Sequence, residues 1–133
     1  MDLTVAVLQL SSARSVYRFL RKKISFEQEE FWAMALNSEL KLIEAQCLFR
    51  GTVDQCPVYP RDIFRFALSH NCARLLICHS HPSGSPLPSE QDVEITHSLL
   101  EASRLLQIPL EDHVIVAPKK YFSFRESKLL LWT

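Results

Sequence analysis

The sequence predicts an α/β layered domain. Three observations carry this expectation. Segments with helical apolar spacing alternate along the chain with short, densely apolar segments. At 133 residues the chain has the length of a single domain. Hydrophobic residues make up 47% and charged residues 23%, the balance of a globular protein. A chain this long hides roughly two-thirds of its unfolded surface on folding, so it needs no staple. We expect one domain over residues 1–133, with 1–11 as a lead-in.

The elements follow in order. Ser11 or Ser12 caps a helix that runs to about Lys23, with Val16, Phe19 and Leu20 at helical spacing. Phe31 to Leu36, FWAMAL, reads as a buried strand. Asn37-Ser38-Glu39 is a turn, and Leu40 to Arg50 pairs back as the second arm of a hairpin that Gly51 ends. Pro60 and Arg61 open a helix to about Asn71, because proline suits a first helical turn. Arg74 to Cys78, RLLIC, is a short apolar strand. His79-Ser80-His81-Pro82 follows, then a loop rich in serine, proline and glycine to Pro88. Ser89 starts a helix to about Gln107, with Val93, Leu99, Leu100 and Leu106 as its apolar face, and Pro109 breaks it. Leu110 to Ala117 and Tyr121 to Phe124 read as two more strands.

Composition excludes several function classes. Lys plus Arg equals Asp plus Glu at 15 each, so net charge gives no case for a polyanion-binding protein. The basic cluster Arg18, Arg21, Lys22 and Lys23 sits on one short helix and reads as a solvated face. Only two glycines occur, Gly51 and Gly84, which rules out a glycine-rich phosphate loop. Cys47, Cys56, Cys72 and Cys78 form no C-x-x-C pair, and Cys72 and Cys78 read as small core residues. The apolar opening Val5 to Leu10 is too short for a signal peptide, and no run approaches a membrane span. The expected location is cytoplasmic.

The informative segment is HSHPSGSPLPSEQD, His79 to Asp92. Period-two geometry points His79 and His81 to one side and Cys78 and Ser80 to the other. The loop lets the chain turn back, and Asp92, in the first turn of the next helix, can return to the same point. Two imidazoles and a carboxylate suit Zn²⁺, and three protein ligands leave a fourth position for water. A rival reading is structural: Ser89 to Asp92 also fits a capping box. The two readings are compatible. A hydrolase would also need a carboxylate base. Glu27, Glu29, Glu30, Glu44 and the acids near the C-terminus are candidates, and the residues alone do not choose among them.

His79-Ser80-His81-Pro82 with Ser89 and Asp92 resembles the zinc motif of the JAB/MPN metalloenzymes, the JAMM motif. That motif is an upstream glutamate, His-x-His, seven residues, Ser, two residues and Asp, and the spacing agrees throughout. The chain further resembles the RadC-like bacterial branch. Phe49-Arg50-Gly51-Thr52, Tyr59-Pro60-Arg61-Asp62, Ala67-Leu68 with Asn71, His81-Pro82-Ser83-Gly84, Asp112 to Val116 and Phe122 to Glu126 carry this likeness.

The resemblance implies a three-layer α/β/α domain with a mixed central sheet, comparable to the cytidine deaminases. It implies His79, His81 and Asp92 as ligands of one zinc ion with a bound water. It implies Glu29 as general base, with Glu30 as fallback, and Ser89 as the group that steadies the tetrahedral intermediate. The implied activity is a JAMM-type metallopeptidase or isopeptidase that cleaves an amide bond in a peptide or protein substrate. Two features depart from the RadC-like pattern: Ser80 stands where asparagine is usual, and no helix-hairpin-helix region is expected.

His113 reads as structural or as support for a ligand, and His70 and His97 as surface or packing residues. Competing readings are a DNA-associated repair or mobile-element accessory protein, a non-catalytic MPN scaffold, and a zinc deaminase. Neutral charge weakens the first, retention of all three ligands weakens the second, and Cys56-Pro57 is in the wrong order for the third. Nucleic-acid and membrane partners are not expected, and a homodimer is left open.

Overall fold

The computed structural model describes residues 8–51 and 58–132. Val5, Thr52, Cys56 and Pro57 lie outside them. The elements are α1 (Ala13–Leu20), β1 (Glu29–Leu36), β2 (Leu42–Gly51), α2 (Pro60–Ser69), β3 (Arg74–Ser80), α3 (Glu90–Leu106), β4 (Leu110–Val116), β5 (Tyr121–Ser123) and α4 (Phe124–Ser127). The five strands form one sheet in the order β2-β1-β3-β4-β5. Only the β3–β4 pair is parallel; the β1–β2, β1–β3 and β4–β5 pairs are antiparallel. The sheet is therefore mixed.

Helices cover both faces. On one face α1 packs Val16 and Leu20 against Met34, Leu36, Leu76, Cys78, Val114 and Val116. On the other, α2 and α3 pack Ile63, Phe64, Leu99 and Leu100 against Phe31, Ala33, Ala35, Leu75 and Ile77. β3 is the middle strand, covered on both faces, which is why its sequence is apolar without alternation. The layers and the mixed sheet agree with the expected fold. Among the described residues, no helix is long and apolar enough to cross a membrane.

The hairpin turn has a specific fastener. Asn37 Oδ1 accepts from the backbone N–H groups of Glu39 at 2.8 Å and Lys41 at 3.0 Å. That holds Leu40 at φ 63°, a conformation a leucine adopts only when its surroundings impose it. Ser12 caps α1 as expected, but the helix ends at Leu20, short of Lys23, and α4 was not foreseen. Arg18, Arg21, Lys22 and Lys23 are exposed, as a solvated face requires.

Two differences bear on function. β3 runs on through His79 and Ser80, because both pair in parallel with Ile115 and Val116 of β4. His79 is thus a buried strand residue and not the first residue of a loop. The buried face of α3 also differs from the expected one: it consists of Asp92, Thr96, Leu99, Leu100 and Ser103, while Leu106 is exposed. The polar members Asp92 and Thr96 hide this face from an apolar periodicity.

Candidate metal centre

The site sits at the C-terminal end of β3, where β1, β4 and the start of α3 converge. Alternation along β3 sends Cys78 into the α1-side core and His79 to the α2/α3 side. Ser80 turns away as well, and its Oγ accepts from the Glu30 N–H at 2.9 Å. His81 follows the strand and returns to the His79 side, with the ring centroids 4.6 Å apart. The loop folds back at Gly84, whose φ of 101° favours glycine, and its N–H reaches the His81 carbonyl at 3.3 Å. This return brings the Ser85 carbonyl 3.0 Å from His81 Nδ1.

Asp92 arrives from α3. Its Oδ1 lies 3.2 Å from His79 Nε2 and its Oδ2 lies 3.2 Å from His81 Nε2. Glu29 arrives from β1: one donor atom each of Glu29, His79 and His81 lie within 4.8 Å of one another. The antiparallel register explains this, since Phe31 is paired with His79 and Glu29 lies two residues further along the same face.

Glu30 faces the opposite way. It is buried, and its carboxylate accepts from Ser25 N–H and Oγ at 3.2 Å each and from Trp32 Nε1 at 2.9 Å. Arg50 Nε lies 3.7 Å from it. Of the two adjacent acids, the structure brings Glu29 to the histidines and ties Glu30 into the other side of the sheet.

Ser89 forms the capping box. Its Oγ accepts from Asp92 N–H at 3.1 Å, and its own N–H donates to Asp92 Oδ2 at 2.8 Å. The structural reading of these two residues therefore holds, and Asp92 serves both the helix cap and the histidine pair.

The donor set fits a small divalent cation of the zinc type. Among the described residues, His79 Nε2 is the one buried side-chain nitrogen or oxygen atom with no hydrogen-bond partner. Its approach to Asp92 is close but not aligned for a hydrogen bond. A buried polar atom left this way is costly unless something else binds it. Nitrogen and carboxylate donors grouped around one point are the donors that zinc takes.

For His79 and Asp92 the electrostatics agree. Burial lowers His79 to a pKa of about 4, against the pull of Asp92, so the ring is neutral at pH 7. Burial works to raise Asp92, but the His81 contact and the neighbouring His79 hold its carboxyl well below the usual range. Burial also works to lower His81, and Asp92, the Ser85 carbonyl and Glu29 together outweigh it and raise it. A neutral imidazole and an ionised carboxylate are the forms that bind a cation.

His113 was expected to be structural or to support a ligand. The structure puts its Nε2 3.2 Å from His79 Nδ1 and its Nδ1 2.5 Å from Thr96 Oγ1. Thr96 was missed entirely. Its signal was its place one turn after Asp92 on α3. His70 packs on Phe66 and His97 is exposed beside Glu101, as expected. Beside the site lies a cleft of about 300 Å³, lined by Phe31, Val58, Pro60, His79, Asp92 and Ile95 among others.

Residues 10–129 match the family model described as the RadC-like JAB domain. A UPF0758 protein of Protochlamydia amoebophila is 40% identical over 116 residues, covering 86% of this chain and 50% of the relative. A UPF0758 protein of Thermotoga maritima is 39% identical over 118 residues, covering 89% of this chain and 53% of the relative. One from Acinetobacter baumannii is 39% identical over 124 residues, covering 92% and 53%. The chain thus spans about half the length of these curated relatives.

Proposed function

This chain belongs to the RadC-like JAB domain family, and on that premise we propose that it is a zinc-dependent metallohydrolase of the JAMM type. His79, His81 and Asp92 hold one zinc ion, and the bond cleaved is an amide in a peptide or protein. The observation that carries the reading is the meeting of two imidazole Nε2 atoms on one buried carboxylate, 3.2 Å from each oxygen, with Glu29 beside them.

A zinc ion at this point supplies Lewis-acid polarisation of a carbonyl and a water acidic enough to ionise near neutral pH. The chain's own residues do the rest. Glu29 is half-buried beside His79 and His81, where its carboxylate takes a proton from water and returns it to a leaving amine. Ser89 stands at the start of α3, and its hydroxyl stabilises charge that develops on the attacked carbonyl oxygen. The apolar wall of Phe31, Val58 and Ile95 receives the substrate next to the cleaved bond and keeps bulk water out.

The test pairs metal content with cleavage. Protein expressed in zinc-supplemented medium is analysed for bound metal, and the wild type and Glu29→Ala are incubated with a peptide library. The expected result is stoichiometric zinc in both and cleavage by the wild type alone. Equal cleavage by Glu29→Ala would show that the base is misassigned. A wild type that binds no zinc would remove the proposal.

A further inference from the structure

We propose that His113 and Thr96 form a hydrogen-bond relay that fixes the tautomer of His79, so that its Nε2 carries a lone pair open to a metal beside Asp92. This rests on the zinc reading above and deepens it: the two residues are positioning residues that act through His79.

The direction of the relay follows from donors and acceptors. The Thr96 hydroxyl lies 2.6 Å from the Asp92 backbone carbonyl. A carbonyl has no proton to give, so the single hydroxyl proton is spent there. Toward His113 Nδ1, at 2.5 Å, the hydroxyl oxygen is therefore an acceptor, and His113 carries its proton on Nδ1. A neutral imidazole with its proton on Nδ1 is an acceptor at Nε2. His113 Nε2 faces His79 Nδ1 at 3.2 Å, so His79 donates from Nδ1. Its Nε2 is left with a lone pair, and this is the atom without a hydrogen-bond partner.

Both rings and the hydroxyl are buried: His113 and Thr96 are 0% exposed and His79 is 2% exposed. Water therefore does not offer a substitute donor or acceptor. Stacking holds the rings in plane. His113 lies 4.8 Å from the Phe124 ring at 19°, and His79 lies 6.0 Å from the Phe31 ring at 15°. The relay starts from the Asp92 backbone and ends at the His79 nitrogen that lies 3.2 Å from the Asp92 side chain. One residue thus anchors the tautomer and offers the carboxylate. His81 has its Nδ1 proton fixed by another route, by the Ser85 carbonyl 3.0 Å away. Support of this kind raises the affinity of a metal-binding histidine by orienting it.

The test uses the full chain in metal-free form, labelled with ¹⁵N. Long-range ¹H–¹⁵N spectra report which ring nitrogen carries the proton. The expected wild-type result is a proton on Nδ1 in both His79 and His113. Thr96→Val keeps the side-chain shape and removes the acceptor. In it, His113 and His79 become mixtures of tautomers, and affinity for zinc and cobalt(II) falls roughly 10- to 100-fold. Thr96→Ser, which restores the hydroxyl, returns the tautomers and the affinity. A wild-type His79 with its proton on Nε2 would overturn the relay. So would Thr96→Val with wild-type tautomers and wild-type cobalt affinity. Absence of zinc and cobalt binding by the wild type would instead defeat the functional reading, and the metal-free spectra would still decide the relay.

Discussion

Asp112 and His113 are neighbours on β4, yet they belong to two buried polar clusters built on different logic. On the α1 side the Asp112 carboxylate accepts from Ser123 Oγ at 2.5 Å, from His113 N–H at 2.7 Å and from Arg125 N–H at 3.1 Å. Those bonds tie β4, β5 and α4 together. On the α2/α3 side the hydrogen bonds run from Asp92 through Thr96 and His113 and stop at His79 Nε2. The first cluster closes on itself and fastens the fold. The second ends in an open lone pair beside an ionised carboxylate, an arrangement that a bound cation completes. Buried polarity alone did not separate these roles; completeness of the hydrogen bonding did.

The largest expected effect lies in the open cluster. Glu29→Gln should lower amide cleavage roughly 10²- to 10⁴-fold while zinc content is retained, the range for loss of a general base. Its neighbour gives the contrast: Glu30→Gln should leave turnover in place and lower stability by roughly 1–2 kcal/mol, because a buried acceptor of several donors is weakened. Steady-state kinetics and urea denaturation of the two variants read these effects. Matching turnover losses in both would break the distinction between the two glutamates.

Next comes the closed cluster. Asp112→Ala strands three donors, and unfolding free energy should fall by roughly 3 kcal/mol, with the zinc-to-protein ratio unchanged. Loss of zinc from this variant at temperatures where it stays folded would show that the clusters are not independent.

A smaller effect concerns pH. Burial lifts the Asp112 carboxyl from the ordinary 3.8 to about 6, against its three hydrogen bonds. The folded state thus holds this proton more tightly than the unfolded chain. Its contribution is full below the unfolded value and is lost as pH rises through about 6. Urea midpoints of the metal-free wild type, measured relative to Asp112→Asn, should therefore fall between pH 4 and 6.5. A constant or rising difference would contradict the sign. The smallest effect belongs to the helix cap: Ser89→Ala should cost about 1 kcal/mol in the metal-free protein.

Much of the fold was legible because apolar spacing reports on covered surfaces. RLLIC announced a strand, and Pro60 announced a helix start. α4 was not legible, since its four residues are fixed by Ser123 and Asp112 and not by a pattern of their own. The two histidines and Asp92 were legible from spacing, and the meeting of their side chains follows from period two on β3 and one capped turn on α3. The choice between Glu29 and Glu30 was not legible from spacing and came from the resemblance alone, because it depends on the register of β1 against β3. Thr96 was invisible for a similar reason: a threonine on a helix gains meaning only from the strand histidine opposite it.

Metal stoichiometry is the most direct test of the open cluster. Wild type, His79→Ala and Asp92→Asn would be purified from zinc-supplemented cultures and analysed by mass spectrometry for bound metal. The expected result is one zinc per chain in the wild type and background levels in both variants, with the fold retained by circular dichroism. A wild type without zinc, or variants that hold as much as the wild type, would contradict the account.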